Sequence, residues 1–161
     1  MQYKITPPTH IEDTILLPAS KSISNRALII HALAGGNIMP ENLSTCDDTA
    51  VIARAFKDNP YEIDIMAAGT AMRFMTAYLS VTEGEHVLTG TERMKQRPIK
   101  ILVDALRFLG ADIQYTGEEG FPPLLIKGKK LKGGSVEVAG NVSSQYVSAL
   151  LMIGPTLEKG L

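Results

Sequence analysis

The feature that most constrains this chain is the stretch Leu17 to Gly36, LPASKSISNRALIIHALAGG. It places a lysine, three serines and an arginine on one short turn, then runs through an almost wholly apolar segment to Gly35-Gly36. Only His31 interrupts the apolar run from Ala27 to Ala34, so the pattern predicts a helix buried on every side. Ser22 or Ser24 is placed to cap its first N–H groups. Those N–H groups and the positive end of the helix dipole make an anion site, and Lys21 and Arg26 add fixed positive charge there. The plainer reading is a capped scaffold helix. Against it, a purely structural helix would carry Asp or Glu at this end, because cations there oppose the dipole.

The basic groups matter locally, because the chain as a whole is not basic. Its 161 residues carry a net charge of −1, and aromatic residues make up only 6% with no tryptophan. That disfavours a general nucleic-acid surface and base-stacking platforms. Hydrophobic residues at 45% and charged residues at 20% are an ordinary globular mixture, enough for one domain or two small lobes. The single cysteine, Cys46, permits no disulfide within the chain and fits a reducing, cytoplasmic setting; it reads as a small buried residue. His10, His31 and His86 lack ligand spacing, so no metal site is expected. MQYKITPP has no apolar core of signal-peptide length, and no run approaches membrane-spanning length.

Taken in order, YKI reads as strand-like, followed by a Pro-Pro turn. Ile15-Leu16-Leu17 reads as a short strand, and a second one is expected near Asn42-Leu43. DDTAVIARAFKD reads as a helix capped by Asp47, with Val51, Ile52, Ala55 and Phe56 on one face, ending at Asn59-Pro60. YEIDIMA alternates like a strand. Ala68-Gly69-Thr70 is a tight turn, with Thr70 as the expected cap of an apolar helix that reaches Val81. VLTG is a strand. Pro98 suits the first position of a helix whose stripe is Ile99, Leu102, Val103 and Leu106, with Gly110 just past its end. ADIQY and PPLLIKG form an expected hairpin. KGKKLKGG reads as a solvated loop, SVEVAG as a strand, and Ser143 or Ser144 as the cap of a last apolar helix ending at Gly154-Pro155.

Three segments share one plan: a small polar turn, a nearly all-apolar helix, then glycine. The turns are ASKSISNR, AAGTAMR and GNVSSQY. Their unequal separations argue against a solenoid. With the intervening strands and amphipathic helices they predict an α/β (α+β) fold of repeated βαβαββ units around buried helices. If those helices run parallel, their mouths converge, and Lys21, Arg26, Arg73 and Arg97 surround one anionic ligand with serine, threonine and N–H donors. Arginine grips carboxylates and phosphates through paired hydrogen bonds, and Ser22, Ser143 and Ser144 suit phosphate oxygens. No Walker-type phosphate loop and no Gly-x-Ser-x-Gly elbow is present. The residues therefore point to a phosphorylated, carboxylated small molecule.

PASKSISNRAL, AGTAMRFMTA, ERMKQRPIKILVDALRFLGA and SSQYVSALLM occur in that order. Together they resemble the 5-enolpyruvylshikimate-3-phosphate synthase family, the 3-phosphoshikimate 1-carboxyvinyltransferases, over Leu16 to Met152. The resemblance implies transfer of the enolpyruvyl group of phosphoenolpyruvate to the 5-hydroxyl of shikimate 3-phosphate, with release of phosphate, on the route to chorismate. It implies two lobes of βαβαββ units and no metal or organic cofactor. It implies Lys21 at both substrates and in proton transfer. Ser22, Arg26, Ser143 and Ser144 fall at shikimate 3-phosphate, Gly69, Thr70 and Arg97 at phosphoenolpyruvate, and Gln145 between the two. Arg73 is implied as an organiser of the site, with Arg93 and Lys95 as weaker candidates whose plainer reading is solvated loop charge. Many members have Gly-Asn-Ala-Gly-Thr where this chain has Met66-Ala67-Ala68-Gly69-Thr70, so Ala67 stands in place of a ligand-contacting asparagine.

The family's chains are much longer than this one. Residues 15–161 are therefore expected to form a partial N-terminal lobe, with residues 1–14 crossing to the other lobe and a C-terminal lobe absent. The family's aspartate base, its acidic proton-transfer partner and further arginines fall outside the segment, so the segment alone is expected to be inactive. Its expected partners are the two small-molecule substrates, with no nucleic acid or membrane, and the whole enzyme is expected to be a monomer. One rival reading is the UDP-N-acetylglucosamine enolpyruvyl transferases, which begin with a Lys-Asn motif and use a reactive loop cysteine. Here Cys46 lies in an acidic loop, where a low thiol pKa is not expected. The other rival is a non-catalytic anion-binding lobe.

Overall fold

The computed structural model describes residues 2–161; Met1, part of the expected N-terminal segment, lies outside the described residues. Regular structure begins at helix α1 (Lys21–Leu33) and continues with α2 (Asp47–Asp58). Then come strand β1 (Glu62–Asp64), α3 (Gly69–Val81), β2 (Gly84–Thr89), the short α4 (Glu92–Lys95) and α5 (Lys100–Phe108). β3 (Asp112–Tyr115), β4 (Leu124–Gly128) and α6 (Ser144–Ile153) complete the chain, with a 3-10 turn over Gly154–Thr156.

The strands form one sheet in the order β1-β2-β4-β3. β1 and β2 are parallel, while β4 runs antiparallel to both β2 and β3. With α3 between β1 and β2, and α5 between β2 and β3, residues 62–128 make one complete βαβαββ unit. α3 packs on β2 and β4, α5 packs on β3, and the two helices touch, so both cover the same face. The strand pattern explains why. Ile63, Leu88 and Leu124 lie in register across the sheet, as do His86, Ile126 and Ile113, and all six are buried. Residues of the opposite parity, such as Glu62, Asp64 and Gln114, are exposed, and Glu85 and Lys127 pair there at 2.9 Å. This is the alternation of a sheet with one covered face.

α3 is the central post. Ten of its residues are buried, from Gly69 to Ser80. Its two fully buried hydroxyls are satisfied: Thr76 Oγ1 donates to the Met72 carbonyl and Ser80 Oγ to the Thr76 carbonyl, each at 2.7 Å. β4 ends against its last turn at Gly128, where a Cβ would overlap the carbonyls of Leu79 and Thr82.

α1 and α6 flank α3, and their contacts fix their direction. Arg26, sixth in α1, stacks over Phe74, sixth in α3, at 5.2 Å to the ring centre. Arg26 Nη2 also donates to Ser148 Oγ, fifth in α6, at 3.1 Å. Gln145, second in α6, donates through Nε2 to Thr70 Oγ1, second in α3, at 3.1 Å. Residues equally far from the start of each helix meet, so the three helices run parallel with their N-termini at one end.

Several local expectations are corrected. α1 is capped by Ser20, whose Oγ accepts from the Ile23 N–H at 3.4 Å, not by Ser22 or Ser24. It is not buried on every side: Leu28 and Ile29 are, but Ile23 and Ile30 are exposed. The strands expected at Tyr3-Lys4-Ile5, Ile15–Leu17, Asn42-Leu43 and Ser135–Gly140 do not form, and Ile15, Leu16 and Leu17 are exposed. Cys46, not Asp47, is the N-cap of α2, although Asp47 and Asp48 occupy the first turn, where carboxylates favour the dipole. Ala68, not Thr70, precedes α3. α5 starts at Lys100, two residues after Pro98, and α4 was not anticipated. The hairpin, the Ser143 cap, the Asn59 terminus of α2 and Gly110 beyond α5 stand where the sequence puts them.

Candidate functional site

The parallel packing brings the first turns of α3 and α6 together, and the turn before α5 closes over them. Gly69 is buried at the start of α3, and the Arg97 guanidinium lies against it: a Cβ on Gly69 would overlap the Arg97 Nη1 and Cζ atoms. Only a residue without a side chain lets the arginine approach this helix mouth. Beside them a cavity of about 450 Å³ is lined by Ala67, Arg93, Met94 and Arg97. Two guanidinium groups at one helix N-terminus suit an anion carrying carboxylate or phosphate. Arg93, one of the weaker candidates in the sequence, thus shares a cavity with Arg97. The turn at 93–97 is set by α4, whose Thr91 caps the Met94 N–H while Met94 is buried. Lys95 instead pairs with Glu92 at 2.8 Å, which raises its pKa.

Arg73 holds the framework from beneath. It is 6% exposed; Nη1 donates to the Gly69 carbonyl at 2.9 Å and Nη2 to the Pro98 carbonyl at 3.3 Å. Burial lowers its pKa, the Tyr146 side chain opposes that shift, and the Arg97 charge adds to it. As an arginine it stays cationic. Its Nε–H has no hydrogen-bond partner among the described residues. Tyr146 Oη donates to the same Pro98 carbonyl at 2.9 Å.

α6 contributes Ser143, Ser144 and Gln145. Ser143 Oγ accepts from the Gln145 N–H at 3.2 Å, which fixes the hydroxyl and keeps its O–H to donate, while Ser144 is exposed. On α1, Arg26 is partly buried against Phe74 and Ser148 and also donates to the Ser22 carbonyl at 3.0 Å. Ser22 is exposed. Lys21 is half-exposed, and its Nζ reaches Asp48 Oδ2 at 3.4 Å on α2 rather than the α3–α6 cluster. The structure thus joins Gly69, Thr70, Arg73, Arg97 and Gln145 directly. It places Arg26 one turn deeper and directs Lys21 to a carboxylate that sequence reasoning did not single out.

That carboxylate sits on a well-fixed element. Ser24 Oγ accepts from the Ser44 N–H at 2.8 Å, and Asn25 Oδ1 accepts from Thr49 Oγ1 at 2.7 Å, so the starts of α1 and α2 are locked together. Cys46 is only partly buried. Burial raises its pKa, but hydrogen bonds with Ser44 and Thr49 outweigh that and leave it lowered, contrary to the expectation from its acidic loop. Among the described residues no His, Cys, Asp and Glu group is arranged to hold a metal, and no helix is long and apolar enough to cross a membrane.

These features agree with comparisons to known proteins. The sequence model of the EPSP synthase (3-phosphoshikimate 1-carboxyvinyltransferase) family matches residues 5–59 and 53–161. A 3-phosphoshikimate 1-carboxyvinyltransferase of Bacteroides fragilis is 63% identical over 161 residues, covering 100% of this chain and 39% of that protein. One from Mannheimia succiniciproducens is 42% identical over 186 aligned positions, covering 96% of this chain and 43% of that protein. That alignment is longer than the chain, so the relative carries inserted residues. The family match breaks at 53–59, where α2 runs into β1 with almost no loop. The solved EPSP synthase from Acinetobacter baumannii superposes with a TM-score of 0.75 at 26% identity, over 89% of this chain and 38% of that one. The chain therefore spans about two-fifths of the length of these relatives. Ordered motifs, a βαβαββ unit and a matching fold lead to one conclusion: the chain belongs to the EPSP synthase family.

Proposed function

We propose that the full-length protein transfers the enolpyruvyl group of phosphoenolpyruvate to the 5-hydroxyl of shikimate 3-phosphate, releasing phosphate, and that this segment supplies much of the substrate-binding half of the site. The observation that carries the reading is the Arg97 guanidinium seated on Gly69 while Gln145 reaches across to Thr70. It joins the residues assigned to phosphoenolpyruvate to those assigned to shikimate 3-phosphate.

In this reading Arg97, the α3 mouth and Thr70 hold phosphoenolpyruvate, with its anionic groups on the guanidinium and the helix N–H groups. Ser22, Arg26, Ser143 and Ser144 hold shikimate 3-phosphate, and Gln145 lies between the two. Lys21 faces both and takes part in proton transfer, with Asp48 holding its ammonium group in place when substrate is absent. Arg73 organises the mouth from beneath. The 5-hydroxyl oxygen adds to C2 of phosphoenolpyruvate as it gives up its proton and C3 takes one up; loss of phosphate from C2 together with a proton from C3 restores the double bond. An acid–base step needs its donor and acceptor within reach of the reacting atoms. The family resemblance puts an aspartate base and an acidic partner on the portion of the longer relatives that this chain does not span. We further propose the domain division given above, a cytoplasmic setting, no cofactor and a monomeric enzyme.

The test is a phosphate-release assay with both substrates. Full-length protein is expected to release phosphate only when shikimate 3-phosphate is present, and the 161-residue segment to give negligible turnover. Release independent of shikimate 3-phosphate, or robust turnover by the segment, overturns the reading.

A further inference from the structure

We propose that Tyr146 is a positioning residue that fixes Arg97 through the backbone of Pro98, and so ties the anion-gripping arginine to the helix mouth that carries Ser143, Ser144 and Gln145. This rests on the functional reading above for its kinetic consequence, although its structural core does not.

Four observations carry it. Tyr146 is 4% exposed, and its Oη donates to the Pro98 carbonyl at 2.9 Å. A buried phenol with a partner at that distance is a fixed group. The same carbonyl accepts a second bond, from Arg73 Nη2 at 3.3 Å, so both lone pairs of one peptide oxygen are used. Arg73 in turn lies 5.9 Å from the centre of the Tyr146 ring and donates to the Gly69 carbonyl. Pro98 directly follows Arg97, and its ring removes freedom about its own φ. Clamping its carbonyl leaves the preceding residue little room to swing. The exposed guanidinium of Arg97 otherwise hangs on a long side chain over Gly69, held by packing rather than by a hydrogen bond of its own.

The arrangement also has a direction. Tyr146 is the third residue of α6, next to Gln145, which holds Thr70, and Ser143 caps the same turn. A ligand that pulls on the α6 mouth moves Tyr146, the Pro98 peptide and Arg97 together. Tyr146 touches no reacting atom in this scheme; it acts through Arg97.

The experiment uses Tyr146→Phe, which removes one oxygen and keeps the buried ring. In a chain of the relatives' full length carrying this sequence, KM for phosphoenolpyruvate is expected to rise roughly threefold to tenfold, the effect of one lost hydrogen bond. KM for shikimate 3-phosphate and kcat should stay within about twofold of the parent. In an Arg97→Lys background the same change should add little. An unchanged KM for phosphoenolpyruvate, an equal rise for both substrates, or full additivity with Arg97→Lys overturns the proposal.

A readout independent of activity is the Arg97 Nε–H signal in the 161-residue chain. Its NMR order parameter should fall in Tyr146→Phe, while that of Arg107, bonded to the Ile113 carbonyl on the far side of α5, stays constant. Equal change at both arginines would mean general loosening and would count against the proposal. If the parent enzyme shows no turnover, the functional reading fails while this order-parameter experiment still decides the role of Tyr146.

Discussion

At the scale of single residues, the site depends on what is left out as much as on what is present. Gly69 has no side chain, and the Arg97 guanidinium occupies the space a methyl would fill. A Gly69→Ala chain should fold at least as well, since alanine is the better helix former by up to about 1 kcal/mol. The methyl would push the flexible end of Arg97 aside, so affinity for phosphoenolpyruvate should fall several-fold with no loss of melting temperature. Calorimetric titration paired with a thermal melt checks both; a lower melting temperature would mean that the backbone, not the arginine, had yielded. Arg97 and Gly69 were legible because their motifs are distinctive. The hydroxyl of Tyr146 was not, because sequence shows an aromatic on an apolar helix and gives no hint of a proline carbonyl 48 residues away. Arg93 stayed a weaker candidate for the same reason: loop charge looks alike whether it faces solvent or lines a cavity.

At the scale of elements, helices were easier to see than their ends or surroundings. Ser20, Ser22 and Ser24 all qualify as caps by type, and only the backbone turn selects Ser20. The apolar sequence of α1 predicts a partner on every side, yet Ile23 and Ile30 face outwards because the flanking segments at 15–17 and 42–43 form no strands. An isolated pair of short strands is marginally stable at best in water. What holds α1 on this side is polar. Asn25 is fully buried, its Oδ1 accepts from Thr49 Oγ1, and its Nδ2 has no partner among the described residues. Thr49→Val keeps the shape and strands the Asn25 oxygen as well, so it should cost about 1–3 kcal/mol in urea unfolding, whereas Thr49→Ser should restore most of it. A Thr49→Val chain as stable as the parent would show that the α1–α2 contact rests on packing alone. Thr49 also lowers the Cys46 pKa, so the substitution should move that thiol's alkylation midpoint upwards in pH.

For the whole molecule, the βαβαββ unit of residues 62–128 has both a covered sheet and a helix buried along most of its length. Among the described residues, the material before and after it has helices but no strands. The alternation of Ile63, Leu88, Ile113, Leu124 and Ile126 made this unit readable, because a period of two leaves little choice of face. The outer parts were less readable because their helices share the apolar pattern of α3 without a sheet of their own to lie on. Stability should follow the same division, since amides open most slowly where apolar contacts are densest. In native-state hydrogen exchange, α3, β2 and β4 should exchange slowest and near the global unfolding limit. α1 and α6 should open earlier, and residues 2–19 and 37–43 should exchange almost freely. Ser143, Gln145 and Arg26 ride on the weaker helices, while Gly69, Thr70 and Arg73 ride on the strong one. An anion bridging them should therefore slow α1 and α6 and leave α3 unchanged, which phosphate or phosphoenolpyruvate added to the exchange buffer would reveal. If α1 already matches α3 in protection without any ligand, its exposed isoleucines are covered in solution, and the division of the molecule into a firm unit and looser flanks is wrong.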